Sequence, residues 1–108
     1  MRDRTVTGLS SASLPAGFPA LPGQTLYDPN TQGATKVVFG RLSGGPEDLI
    51  KVRDKLASLL TSAGYTINGK DQEPGAEADL DFGSPHDGTA NVRPLCKDHI
   101  VVRYRFTG

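Results

Sequence analysis

The sequence is short of residues on which several kinds of protein depend. It has no tryptophan, one methionine and one cysteine, Cys96, among 108 residues. A single cysteine excludes an internal disulfide framework and a zinc site built from several thiolates. It does not decide the redox compartment, because a cytosolic protein and a secreted domain with a buried thiol both tolerate one cysteine.

The chain also lacks an excess of charge of either sign and any long apolar run. Twelve Lys and Arg residues balance twelve Asp and Glu residues, so no net field favours nucleic acid or an anionic membrane as a partner. No apolar stretch is long enough to cross a bilayer or to form the core of a signal peptide. We therefore expect no nucleic-acid partner and no transmembrane segment in this chain.

Length and composition predict one small domain with an irregular start. A chain of this size buries only about two thirds of the surface that its unfolded form exposes, so its core is modest. We divide the chain into a flexible lead or tether rich in Ser, Pro and Gly at residues 1–23 and a single α+β domain at residues 24–108. Phe18 and Leu21 stand between prolines of the lead, and such a segment can lie along the domain with both side chains tucked in.

One amphipathic helix, at about residues 46–63, is the clearest element. At 100° per residue its apolar side chains fall within an arc of about 100°. These residues are Leu49, Val52, Leu56, Leu59, Leu60 and Ala63. Pro46 suits the first helical position, and Gly64 suits the left-handed conformation that ends a helix. Because only one face is apolar, we expect the helix to cover one face of a sheet.

Alternating and β-branched segments predict that sheet. The clearest strands are expected at about residues 35–42, 65–68, 76–82, 89–93 and 99–106. The composition of residues 24–27 also allows a short strand there. Asn68-Gly69 is typical of a two-residue hairpin, so a tight turn is predicted there, with a longer loop as the alternative. Short connections favour antiparallel neighbours. The predicted fold is therefore α+β with two layers, the helix packed on a curved antiparallel sheet of four to five strands.

One of these strands alternates apolar and acidic residues. Its carboxylates, Glu77, Asp79 and Asp81, would project from one face about 6.6 to 6.8 Å apart in succession. That row suggests a divalent-cation site or a surface for a basic partner, but one straight strand spaces the carboxylates too widely to wrap an ion. The simpler interpretation is a solvated strand face paired with Arg103 and Arg105 on a neighbouring strand. These five residues form the candidate binding surface.

Cys96, His99 and His86 also suggest chemistry by residue type. Cys96 and His99 have the two-residue gap of many metal pairs, but a zinc signature repeats such a pair, and this chain does not. A cysteine nucleophile with a histidine base and Asp98 or Asp87 as orienting group has no further support. We expect a buried, inert Cys96 at a strand start, no metal, no cofactor and no catalytic residue.

Two patterns point to nucleic acid or nucleotides only superficially. Arg103-Tyr104-Arg105 interleaves an aromatic residue with cations, but on a strand Tyr104 points to the face opposite both arginines, so the three share no stacking platform. Gly44 precedes the helix as in a phosphate loop. However, no Walker lysine follows, and Pro46 removes a backbone donor.

The order of segments resembles a known class of protein. It comprises a Pro-rich phrase from Leu14-Pro15 to Pro22-Gly23, a strand, a helix closing in Leu59-Leu60-Thr61-Ser62-Ala63-Gly64-Tyr65-Thr66, and an alternating β end. Over residues 14–106 this pattern resembles small secreted or lipoprotein-type cell-envelope domains of high-GC Gram-positive bacteria, mostly of unknown function. The resemblance implies an exported domain, a tether remnant at Arg2 to Ser13, a lipid anchor upstream and no catalytic motif.

Three functions follow, in order of preference. The first is a non-enzymatic binding or accessory domain of the cell envelope that holds an unknown small ligand, peptide or protein on its sheet. The second is a cytosolic immunity, resistance or regulatory protein whose acidic strand binds the basic surface of one partner stoichiometrically. The third is a small hydrolase or metal enzyme around Cys96, His99 and His86.

Overall fold

A computed structural model of the chain describes residues 10–11, 14–15, 17–28, 36–84, 86–96 and 98–107. Within these residues the elements are β1 (Ser10–Ser11), β2 (Thr25–Asp28), β3 (Lys36–Ser43), a 3-10 turn (Pro46–Asp48), α1 (Leu49–Ser62), β4 (Thr66–Glu73), β5 (Glu77–Gly83), β6 (Gly88–Leu95) and β7 (His99–Phe106). The strands form one sheet in the order β1-β2-β3-β7-β6-β5-β4. Every neighbouring pair is antiparallel.

One helix on an antiparallel sheet confirms the predicted α+β class. The predicted four to five strands are too few, because the described residues form six strands of four to eight residues and the two-residue β1. β2 corresponds to the short strand that the composition allows at residues 24–27, whereas β1 is too short to show a hydrophobic period. The predicted curvature of the sheet stays a prediction.

Bonds close in sequence fix both ends of α1. Before the helix, the backbone N–H of Gly45 donates to Asp48 Oδ2 at 3.0 Å. After it, Gly64 has a φ of +93°, and the N–H of Tyr65 donates to the carbonyl of Leu60 at 2.9 Å. This bond and the left-handed glycine are the Schellman ending of a helix. The 3-10 turn and α1 together span the helix predicted at about residues 46–63.

The apolar face of α1 contacts β4, β5 and β6. Leu49, Leu56 and Leu60 are at most 1% exposed, as the helical period predicts. Ala63 is exposed, because it lies in the cap beyond the last full turn. Arg53, which the apolar arc leaves out, is 4% exposed.

In this buried position the guanidinium of Arg53 is hydrogen-bonded to α1 and to the edge strand β4. Its Nη1 donates to the carbonyl of Asp71 and to Gln72 Oε1, both at 2.8 Å. Its Nε donates to Asp54 Oδ1 at 2.9 Å. A buried charge is tolerated when it is paired and hydrogen-bonded in this way. Arg53 therefore ties the helix to the outermost strand beneath it.

The side chains that face α1 form the inner face of the sheet and most of the core. Directly paired residues of antiparallel strands share a face. One inner row, for example, runs across four strands as Leu80, Ala90, Tyr104 and Val38. All four side chains are at most 1% exposed.

The Pro-rich segment, residues 14–23, adds two side chains to this core. Phe18 is 7% exposed and Leu21 is 4% exposed, which confirms that both are tucked in. The ring of Phe18 meets those of Phe106 at 5.2 Å, Tyr65 at 5.3 Å and Tyr104 at 5.7 Å, all edge to face. Aromatic pairs prefer this geometry. Residues 1–9, 12–13 and 16 lie outside the described residues, and the division of the chain at residue 23 stays a prediction.

A hydrogen bond joins the end of this segment to the centre of the sheet. The hydroxyl of Tyr104, which is fully buried, donates to Gln24 Oε1 at 2.6 Å. The amide of Gln24 occupies the place where a side chain at position 40 would begin, so Gly40 leaves the room that it needs. Burial raises the pKa of Tyr104 well above its usual value.

The predicted tight turn at Asn68-Gly69 is wrong. β4 continues through both residues to Glu73, and its register on β5 shifts between Ile67 and Gly69, so Asn68 forms a β-bulge. The chain reverses instead at residues 74–76, where Gly75 has a φ of +79°. A turn at this later point lets β4 and β5 pair along their whole length, which a turn at residue 68 would prevent.

Truncation of Phe18 tests whether the Pro-rich segment belongs to the core. We expect Phe18→Ala to lower the free energy of unfolding by about 3–5 kcal/mol, the range for removing a buried aromatic ring. Phe39→Ala is the matched control, because Phe39 is only half-buried and faces away from α1. Urea unfolding followed by circular dichroism measures both losses. A loss for Phe18→Ala no larger than that for Phe39→Ala would contradict the packing.

Tyr104 also gives the fold a dependence on high pH. Its pKa is raised in the folded chain from the ordinary value of 10.0, so the unfolded chain loses this proton first. The stabilisation is complete below pH 10 and is lost above it, by up to about 1.4 kcal/mol per pH unit. The free energy of unfolding should therefore fall more steeply above pH 10 for the unsubstituted chain than for Tyr104→Phe. Parallel curves in urea titrations would contradict the burial of this phenol.

Candidate binding surfaces

The side chains that point away from α1 form the outer face of the sheet, and the predicted binding surface lies on it. Strand pairing places the first outer row at Asp79, Asn91 and Arg103, and the next row at Asp81, Thr89 and Arg105. Glu77 lies one row further along β5 on the same face. The structure thus brings all five predicted residues to one face of the sheet.

The predicted pairing of the acidic strand with Arg103 and Arg105 is wrong. β6 lies between β5 and β7, and two strand spacings hold the acidic and basic strands about 9–10 Å apart. Within the described part of the chain, no hydrogen bond or ion pair engages the side chain of either arginine.

Residues of β6, rather than Arg103 and Arg105 of β7, interact with the carboxylates of β5. The side-chain amide of Asn91, which is 9% exposed, donates to Glu77 Oε1 at 2.9 Å and also to Asp79 Oδ1. Arg93 Nη2 lies 3.2 Å from Glu77 Oε1. Sequence reasoning missed both residues, because only the strand order shows that β6 is the neighbour of β5.

The outer face therefore carries opposite charges on its two halves. The half towards the β4 edge has five carboxylates on β4 and β5, namely Asp71, Glu73, Glu77, Asp79 and Asp81. The half towards β3 has the guanidinium groups of Arg93, Arg103, Arg105 and Arg41. Val37, Phe39 and Val101 lie half-buried among the arginines.

A groove opens on the inner side, between α1 and the Pro-rich segment. Its volume is about 270 Å³ and its walls are almost wholly apolar. The lining residues are Leu21, Pro22, Leu42, Lys51, Val52 and Lys55. They come from three separate parts of the chain, so no local pattern in the sequence predicts the groove.

Two lysines give the groove a positive rim. Lys51 and Lys55 lie one turn apart on α1, and both are exposed. Lys51 Nζ is 3.7 Å from Asp48 Oδ1. Lys55 has no ion pair with any residue that the structure describes. The groove is thus apolar, with exposed ammonium groups along one side.

His86 does not come together with Cys96 and His99, which lie at the two ends of the turn between β6 and β7. His86 precedes β6 and Cys96 follows it, and an extended strand of eight residues is about 24 Å long. Cys96 is half-buried in the turn between β6 and β7, where its φ is +62°. The prediction of a buried Cys96 at a strand start is therefore wrong, because the reversal of the chain after β6 needs a residue in the left-handed conformation. Among the described residues, no three His, Cys, Asp or Glu side chains could hold a metal ion together.

No family model, curated protein or solved structure matches the chain. The resemblance to cell-envelope domains therefore stays a prediction. In the part of the chain that the structure describes, no helix is long and apolar enough to cross a membrane.

Proposed function

We propose that this chain is a non-enzymatic binding domain whose ligand is an amphiphilic anion, a short linear acyl chain with an acidic head group. The observation that carries the proposal is the apolar groove with Lys51 and Lys55 on its rim. The acyl chain lies along Leu21, Leu42 and Val52, and the acidic group lies at the mouth beside the ammonium groups.

The apolar walls select the chain of the ligand. A polar ligand would give up its hydration and find almost no hydrogen-bonding group in the lining, which is unfavourable. An acyl chain gains about 0.8 kcal/mol for each methylene buried. The volume of about 270 Å³ lies just under the range of about 300–1,000 Å³ for pockets that hold drug-sized ligands. The groove therefore suits a short chain or one end of a longer chain.

The lysines select the sign of the head group. Their methylene stems line the groove while their ammonium groups remain in water, as is usual for long cationic side chains at an apolar surface. An exposed ion pair contributes only about 0–1 kcal/mol. Most of the affinity therefore comes from the chain, and the lysines discriminate against cationic amphiphiles.

The composition of the groove favours a function in ligand binding over one in catalysis. Of its lining residues only the two lysines carry an ionisable side chain, and both are exposed to solvent. An amine that acts as a nucleophile or a base is usually desolvated or lies beside another cation. Solvent-exposed lysines on a rim suit recognition of an anion better than catalysis.

We further propose that the domain is exported and attached to the cell envelope through a lipid anchor upstream. The resemblance of its Pro-rich phrase and helix to envelope domains supports this location, where amphiphilic anions are available. A native gene that encodes no export signal before this chain would contradict it.

The second candidate is a cytosolic protein that binds one basic partner stoichiometrically. The five carboxylates of β4 and β5 on the outer face favour this candidate, because they form a continuous acidic surface. Groove and outer face lie on opposite sides of the sheet, so the two candidates differ in the residues that they require.

Calorimetric titration with hexanoate, octanoate and decanoate below their micellar concentrations tests the proposed ligand. We expect Kd to fall about fourfold for each methylene that enters the groove and then to level off once the groove is full. Octyltrimethylammonium, with the chain length of octanoate and the opposite charge, should bind at least about tenfold more weakly. Equal affinity for both charges, or no binding of any carboxylate, would contradict the proposal.

Charge reversal on the rim locates the binding. The double variant Lys51→Glu/Lys55→Glu should weaken octanoate binding by about tenfold, because two exposed attractive contacts become repulsive. Arg103→Glu/Arg105→Glu is the matched control, since it makes the same change of charge at two exposed positions on the outer face. Equal weakening by both variants would show a general charge effect and would contradict a site in the groove.

A further inference from the structure

We infer that the outer face of the sheet is a self-association surface, and that its partner is a second copy of this chain docked face to face. The two copies are related by a two-fold axis that runs parallel to the strands above β6. This inference rests on the outer face alone and does not depend on the ligand proposed for the groove.

The strand order makes the outer face self-complementary about that axis. β6 is central among five strands, with β7 and β3 on one side and β5 and β4 on the other. A two-fold rotation above β6 places β5 of one copy over β7 of the other, and β4 over β3. The acidic half of each copy then covers the basic half of its partner. A two-fold interface uses the same patch on both copies in this way.

The register makes the match specific to individual residues. Rotation about an axis parallel to the strands leaves each cross-strand row at its own level. Asp79 shares its row with Arg103, and Asp81 shares its row with Arg105. Asp79 and Asp81 of one copy therefore lie opposite the guanidinium groups of Arg103 and Arg105 of the other copy. All four contacts form together in the dimer.

The residues at the axis are compatible with this arrangement. Thr89 and Asn91 lie on β6 in the same two rows, so each of them meets its own counterpart, and both are uncharged. Arg93 also lies on β6, but Glu77 of the same copy is 3.2 Å from its guanidinium. This neighbouring carboxylate offsets the repulsion between the two copies of Arg93.

Docking would satisfy groups that one copy leaves without partners. Arg103 and Arg105 are exposed and form no ion pair within the described residues. Packed sheets lie about 10 Å apart, a distance that two facing charged side chains can span.

The size of the face predicts a weak dimer. Five strands of up to eight residues offer about 600 Å² on each copy, from strand spacing and rise per residue. The total of about 1,200 Å² is at the lower limit for specific complexes. Because the contacts are mainly ionic, salt screens them. We expect a Kd in the micromolar range that rises at least about tenfold between 20 mM and 500 mM salt.

Sedimentation velocity across a concentration series tests this inference. The unsubstituted chain, of 11.4 kDa, should be a dimer at about 100 µM in low salt and a monomer in high salt. Asp81→Arg and Arg105→Asp should each be monomeric, because each places like charges opposite one another. An equimolar mixture of the two variants should form a heterodimer, since the reversed charges match again.

The mixing result separates this interface from general charge effects and from misfolding. Both substituted positions are exposed, and circular dichroism verifies that each variant is folded. Lys55→Glu is the control for a charge change away from the outer face and should leave the dimer intact. A chain that is monomeric at all concentrations, a dimer that both reversals leave unchanged, or a mixture that stays monomeric would each overturn the inference.

Discussion

The structure depends on how the inner face of a wide sheet is covered, because one helix is too narrow to cover all of its strands. A helix is about 10–12 Å across, including its side chains, and strands are about 4.8 Å apart. One helix therefore covers two or three strands, and the main contacts of α1 are with β4, β5 and β6. The Pro-rich segment supplies further cover with Phe18 and Leu21. The groove is the seam where the helix and this irregular segment meet.

Each of the two covers is held to the sheet by a buried polar contact. Arg53 joins α1 to the backbone of β4, and Gln24 joins the end of the Pro-rich segment to Tyr104 on β7. The described residues of the segment form no strand pairing that would fix its position, so a directional bond to the sheet complements its apolar contacts. Among the residues that the structure describes, Gln24 Nε2 is left buried without a hydrogen-bond partner, which costs about 1–3 kcal/mol.

Features that depend on near neighbours in the sequence were predictable, and features that depend on distant neighbours were not. The ends of α1 follow from Pro46 and Gly64, and the alternation in β5 and β7 identifies their inner faces correctly. Asn68-Gly69 misled because an extended turn at residues 74–76 competes with it and pairs longer strands. The placement of β6 between the acidic and basic strands decides how the charges of the candidate surface interact. It is a property of the whole sheet, as are the groove and the burial of Arg53.

The two sides of the sheet suggest two kinds of recognition, with apolar contact in the groove and charge matching on the outer face. Both depend on the Pro-rich segment and α1 lying on the same side of the sheet. Nuclear Overhauser contacts between aromatic rings measure this arrangement directly. The structure predicts contacts from the ring protons of Phe18 to those of Phe106 and Tyr65, whose ring centres are 5.2 and 5.3 Å away. Random-coil shifts for Phe18 with no contact to either ring would contradict it.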